Sequence, residues 1–134
     1  MTYSVSRCGI WSGSRGLVAA LVDTEGHRVA LPVPHGDEER WDWLHRLQGE
    51  QGLDLEIVLP ESLGRTDPIG QLALAREMPL WLTPDGLIEA IRGPAHLSGP
   101  ATAAMLARLP ACKAWRYQLR RVIALRDPRQ LSLL

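Results

Sequence analysis

Residues 9–29, GIWSGSRGLVAALVDTEGHRV, decide how the chain is read. Two apolar runs flank the small-residue link SGS, and a second link, DTEG, leads to a third run. Working outward, YSVSRCGIW (3–11), RGLVAALVD (15–23) and HRVALPVP (27–34) are rich in β-formers and predict three strands. SGS suits a tight turn, and Gly26 supplies the positive φ that a hairpin link commonly needs. Three strands with short links predict an antiparallel meander. The middle run, GLVAALV, is continuously apolar, which predicts a strand covered on both faces.

Downstream the period changes. Residues 34–52, PHGDEERWDWLHRLQGEQG, place Asp37, Glu38 and Glu39 where a helix N-terminus favours negative charge. Trp41, Leu44 and Leu47 follow at i, i+3, i+6, with Trp43 displaced from that stripe, and Gly49 and Gly52 bracket the stop. LDLEIVLP (53–60) predicts a central strand, DPIGQLALAREM (67–78) a second helix, PLWLTP (79–84) a short strand, and TPDGLIEAIRG (83–93) a short helix. PATAAMLARLP (100–110) predicts a further helix, and ACKAWRYQLRRVIALR (111–126) a last long one beyond a join at Pro110. DPRQLSLL reads as an irregular tail. The order β-β-β-α-β-α-β-α-α-α predicts an α/β fold: a mixed sheet of about five strands flanked by helices, in a single domain spanning 1–134.

The 134 residues are 46% hydrophobic and 22% charged, ordinary globular values, and no apolar run is long enough to cross a bilayer. The first ten residues lack the basic start and apolar stretch of a signal peptide, so the expectation is a soluble, cytoplasmic protein. Cys8 and Cys112 stand apart in apolar contexts and read as two reduced, buried or half-buried thiols. His27, His35, His45 and His96 are scattered and form no zinc pattern. The zero net charge hides an asymmetry, with residues 107–134 carrying +6 and residues 1–106 carrying −6. A basic tail on an acidic body means either an anionic partner or a tail packed on its own body.

There is no phosphate-binding loop, nucleophile elbow or paired-histidine zinc motif, and Ser12 and Ser14 read as turn formers. The sharp candidates are acids near strand ends. Asp23 closes the second strand, Glu61 directly follows LEIVLP, and Asp67 sits before a helix, where N-capping is the ordinary role. Two-metal phosphoryl chemistry would need several such carboxylates to converge. Aromatic and basic residues interleave in KAWRYQLRR (113–121), a composition that suits nucleic acid. Trp115 and Leu119, continued by Val122 and Ile123, also read as the core face of a helix.

The strand order and the placing of GIWSGSRGLVAALVDTEGHRV and LDLEIVLPESLG resemble the ribonuclease H-like superfamily. The chain looks most like the N-terminal domain of Holliday-junction-resolvase-like transposases of insertion sequences. That resemblance covers most of residues 5–110 and implies Glu61 as the acid of the second motif. It also implies an aspartate at position 11, where this chain has Trp11, and a late acid in 96–109, where HLSGPATAAMLARL has none. The leading expectation is a catalytically inactive ribonuclease H-like accessory or binding module of a mobile element. It would contact nucleic acid through Arg108, Lys113, Arg116, Arg120 and Arg121, or contact a protein, and would need no cofactor. The alternatives are a divergent Mg²⁺-dependent nuclease using Asp23, Glu61 and Asp67, and a structural module that forms a homodimer through its last helices and LSLL.

Overall fold

A computed structural model describes residues 5–23, 25–51, 55–93 and 97–123. β1 (Arg7–Gly13), β2 (Gly16–Val22) and β3 (Arg28–Pro32) form the expected meander, with β1 antiparallel to β2 and β2 antiparallel to β3. Helix α1 (Asp37–Gln51) then crosses to β4 (Glu56–Pro60), which pairs parallel with β1. After α2 (Glu61–Thr66) and α3 (Ile69–Ala75), β5 (Leu80–Thr83) pairs parallel with β4. Helices α4 (Asp85–Arg92) and α5 (Gly99–Arg108) and two 3-10 turns lead to β6 (Arg120–Val122), which closes the far edge antiparallel to β5. The sheet order is β3-β2-β1-β4-β5-β6.

Alternation along the strands divides the core into two faces. Cys8 and Ile10 of β1, Ile57 and Leu59 of β4, and Leu80 and Leu82 of β5 pack with Trp43, Leu44 and Leu47 of α1 and with Ala73 and Leu74 of α3. On the other face, Val58 and Trp81 meet Ile88 of α4 and Leu106 of α5, while Ala20 and Val22 meet Ala103, Ala104 and Ala107. β2 therefore contributes to both faces, as its unbroken apolar run predicted. The approach of α5 to β1 is unusually close. A Cβ on Gly9 would overlap the Ala103 carbonyl oxygen and stand 2.8 Å from the Ala107 amide nitrogen.

Two sequence expectations need correction. First, the long helix expected over 111–126 is absent from residues 111–123: after the 3-10 turn at Leu109–Ala111 they pass through another at Arg116–Gln118 into β6, and the described residues form a sheet of six strands instead of about five; residues 124–126 lie outside the described residues. The reason is tertiary. β5 would otherwise leave a row of unpaired backbone groups at the sheet edge, and Arg120–Val122 pairs with Leu80–Leu82 there. Trp115 and Leu119 still reach the core on the α4/α5 face, but without helical geometry, and Ile123 is exposed. Second, Trp43, and not Trp41, joins Leu44 and Leu47 in the core; Trp41 lies outside, under the Arg76 guanidinium at 4.7 Å. The six residues after β4, to which the sequence pattern assigned no element, form α2, in which Pro60 stands at the N-cap and Leu63 returns to the core. The irregular tail (127–134), with the dimer contact assigned to LSLL, lies outside the described residues. No helix among the described residues is long and apolar enough to cross a membrane.

This packing makes Gly9 and Cys8 sensitive positions. Gly9→Ala forces α5 off β1 and destabilises the protein by about 3 kcal/mol, the upper end of ordinary overpacking costs, measured by urea unfolding. Cys8 is fully buried, and that burial raises its thiol pKa to about 12. Thiol titration of the folded protein therefore modifies Cys112 alone, and Cys8 reacts only after unfolding.

Candidate functional site

The C-terminal ends of the parallel strands β1, β4 and β5 lie side by side, the position where open α/β sheets usually bind ligands. β1 brings Trp11 and Ser12 there, β4 ends in Pro60 with Glu61 following, and Asp85 opens α4 just past β5. A shallow cavity of about 230 Å³ lies between Trp11, Ser12, Pro60, Ser62, Thr66 and Asp85. Asp85 is committed to holding the ends together: its carboxylate accepts from the Ser62 hydroxyl at 2.7 Å and from the Ser62 amide at 3.2 Å. The TPD sequence made Asp85 look like part of a helix start only. Its partnership with Ser62, 23 residues away, has no signal in local sequence.

Trp11 fills the space that the resemblance would give to an acid. Its side chain packs toward α5, with Cδ1 4.0 Å from where a Cβ on Gly99 would stand. The Arg92 guanidinium lies over the ring at 4.8 Å and donates to the Leu97 carbonyl at 3.0 Å. These residues do not fit a divalent cation. The indole supplies no acceptor oxygen, and a fixed positive charge sits against it, where metal binding would need converging carboxylates.

The structure does not bring the three candidate acids together. Asp23 follows Val22, which pairs with Arg7, and Arg7 pairs with Glu56 at the start of β4; Glu61 lies past the other end of that strand. The separation along the strand direction is about 15 Å or more, at roughly 3.3 Å per residue. Asp23 organises the β2–β3 hairpin. One of its oxygens accepts from the amides of Glu25 and His27, and the other faces His27 Nδ1 at 3.0 Å. Slight desolvation acts to raise its pKa, but the hydrogen bonds from His27 and Glu25 outweigh it and leave the carboxyl below its ordinary value. Glu61 stands between Arg65 at 3.9 Å and Arg120 at 3.6 Å. Asp67 stands one residue before Pro68, the N-cap of α3; its carboxylate accepts from the Ile69 amide at 2.9 Å and from the buried Arg40 at 2.6 Å, so a hydrogen bond at the helix start is joined by an ion pair. Among the described residues, the one trio of metal-capable side chains whose ligand atoms lie within 4.8 Å of one another is Asp23, Glu25 and His27 in the hairpin.

The basic segment is partly tied to the body of the protein. Arg121 turns inward: it donates to Glu56 at 2.8 Å and lies over the Trp81 ring at 5.4 Å. Glu56 is buried and also accepts from Arg7 at 2.9 Å and from Trp81 Nε1 at 3.0 Å. Arg120 pairs with Glu61, and the Arg116 guanidinium lies 5.9 Å from the centre of the Trp81 ring. Part of the tail's charge is thus spent on its own body. Arg108, Lys113, Arg116, Arg120 and Arg121 all keep exposed surface, and among them Tyr117 is 92% exposed.

Glu56→Ala leaves the half-buried Arg7 and the Trp81 indole without their acceptor and costs about 3 kcal/mol. That is the low end for breaking a buried ion pair, because the Arg121 partner is nearly half in solvent. Chemical denaturation checks the value, with faster hydrogen exchange at the β6 amides as the local signature. No family model matches the chain, and no curated protein matches its sequence significantly.

Proposed function

We propose that this protein is a non-catalytic, ribonuclease H-like binding module for single-stranded nucleic acid. The observation that carries the reading is Tyr117. Its ring is almost wholly exposed, in a segment (97–123) that holds five basic residues and no acid. An exposed aromatic face in a stretch of cations without acids suits the arrangement that binds an unpaired strand. The base stacks on the ring while the phosphates meet the cations. Lys113, Arg116 and Arg120, exposed and within four residues of Tyr117 in sequence, supply the charge, Arg120 while also pairing with Glu61, and Arg108 extends it onto α5.

The ribonuclease H-like part of the reading is supported by the meander, by the parallel placing of β4 and β5 beside β1, and by α5 lying across β1 and β2. Its non-catalytic part is supported by the Trp11–Arg92 pair and by the distance between Asp23 and Glu61. A role within a mobile element is part of the same proposal and rests on the resemblance of residues 5–110.

Fluorescence anisotropy with a labelled single-stranded oligonucleotide tests it across a salt series. Binding weakens as salt rises. Lys113→Ala with Arg116→Ala flattens the log–log salt slope by about 0.7 for each phosphate that no longer meets a cation. Tyr117→Ala weakens binding by roughly five-fold or more without changing the slope. Adding Mg²⁺ or Mn²⁺ produces no strand cleavage. Absence of binding even at low salt would sink the proposal, and metal-dependent cleavage abolished by Glu61→Gln would return the nuclease reading.

A further inference from the structure

A larger cavity than the one at the strand ends lies on the outer side of α5. It is a groove of about 370 Å³ between α4, α5 and the turns that follow, with Ile91, Met105, Leu109 and Trp115 among its walls. Arg28 from β3 and Arg108 from α5 stand in it, both exposed, and there is no acid among the described residues that line it. A smaller hollow of about 230 Å³ continues from it past Arg28 and Ala101 toward Ala20 and Pro100. Nothing local in the sequence joins Arg28 to Arg108, 80 residues further along the chain.

We infer that this groove takes one base and its sugar from the bound single strand, with the flanking phosphates on Arg28 and Arg108. The inference rests on the nucleic-acid reading above and assigns it a second contact point. The volume matches a small-ligand pocket. The half-buried indole of Trp115 and the polarizable Met105 give a base an apolar wall to lie against. Two exposed guanidiniums, in a described lining that contains no acid, complement the phosphates on either side. The groove is also continuous in sequence with the exposed Tyr117, two residues beyond Trp115, so a strand laid on the ring has a short path into it. An acidic peptide with an apolar anchor would use the same two arginines, but would gain less from a flat aromatic wall.

The test uses an oligothymidylate and an abasic strand of equal length and charge, with Tyr117→Ala protein so that stacking on that ring does not contribute. The inference expects the base-bearing strand to bind roughly five-fold or more tightly than the abasic one. Ala101→Leu, which narrows the groove, and Trp115→Leu, which removes the flat wall, each abolish that preference and leave the salt slope unchanged. Arg28→Gln lowers the slope by about 0.7. Circular dichroism and unfolding midpoints establish that each variant is folded; should Trp115→Leu fail to fold, Ala101→Leu alone decides. If both strands bind equally and Ala101→Leu changes nothing, the groove is not a base site, although the proposed function stands. If neither strand binds to the unmutated protein, both readings fall. A glutamate-rich peptide that binds more tightly than the oligonucleotide and requires Trp115 overturns the inference in favour of a protein partner.

Discussion

The close seating of α5 on β1 is the constraint on which the rest of the structure depends. Gly9 has no side chain, and the backbone of α5 at Ala103 and Ala107 occupies the place where one would be. Ala20 on β2 and Ala104 on the helix extend the same small-residue contact. Large residues at these positions would push the helix away from the sheet. With it would go the lid over Trp11 at one end and the wall of the outer groove at the other. Little apolar area is buried per residue here, so the contact relies on close van der Waals approach over a long line, in which each atom pair counts for little and the sum for much.

A second organising force is electrostatic. Glu56 is a carboxylate on a buried strand face, and such a group is tolerated only when its oxygens are filled. Arg7, Trp81 Nε1 and Arg121 fill them. Arg121 comes from β6, at the end of a long return path from α5, so the buried charge helps select which segment closes the sheet edge. The same contact explains why a basic tail is compatible with an acidic body in a chain of zero net charge. Arg120 and Arg121 pair with the body's own acids while keeping exposed surface, and Arg108, Lys113 and Arg116 also lie at the surface with Tyr117.

The strand ends show how a scaffold of this shape is organised without a cluster of converging carboxylates. Trp11 occupies volume, and Arg92 lays a cation on its face where such a cluster would otherwise have to be held. Asp85, which lines that cavity, is bound to Ser62 and ties the starts of α2 and α4 to one another. The chemistry of the region is therefore that of a packed and internally paired end. The larger groove, with Arg28 and Arg108 in it, lies instead along α5 and the turns after it.

The meander, the crossover helix and the parallel strands could be read from residues 3–110 because their signals are local: alternation, continuous apolar runs, and Gly, Pro and Asp at the breaks. The segment 111–123 could not. Its Trp115/Leu119 spacing fits a helix, and what makes it turn and strand is an unpaired edge on β5 and a buried acid on β4, both far away in sequence. The candidate acids could be named from sequence, but their grouping could not, since the hairpin carries Asp23 to the opposite end of the sheet from Glu61. The reverse holds for Arg28, Arg108 and Trp115, which sequence separates and the fold gathers at one groove. By itself, then, the sequence determined the α/β class, the order of the elements from β1 to α5 apart from α2, and the presence of an indole instead of an acid at position 11. The tertiary structure alone decided the sixth strand, the partners of each charge and the location of the open surface. Local periodicity reports backbone preference, whereas edge pairing, buried-charge compensation and cavities depend on residues that meet only after folding.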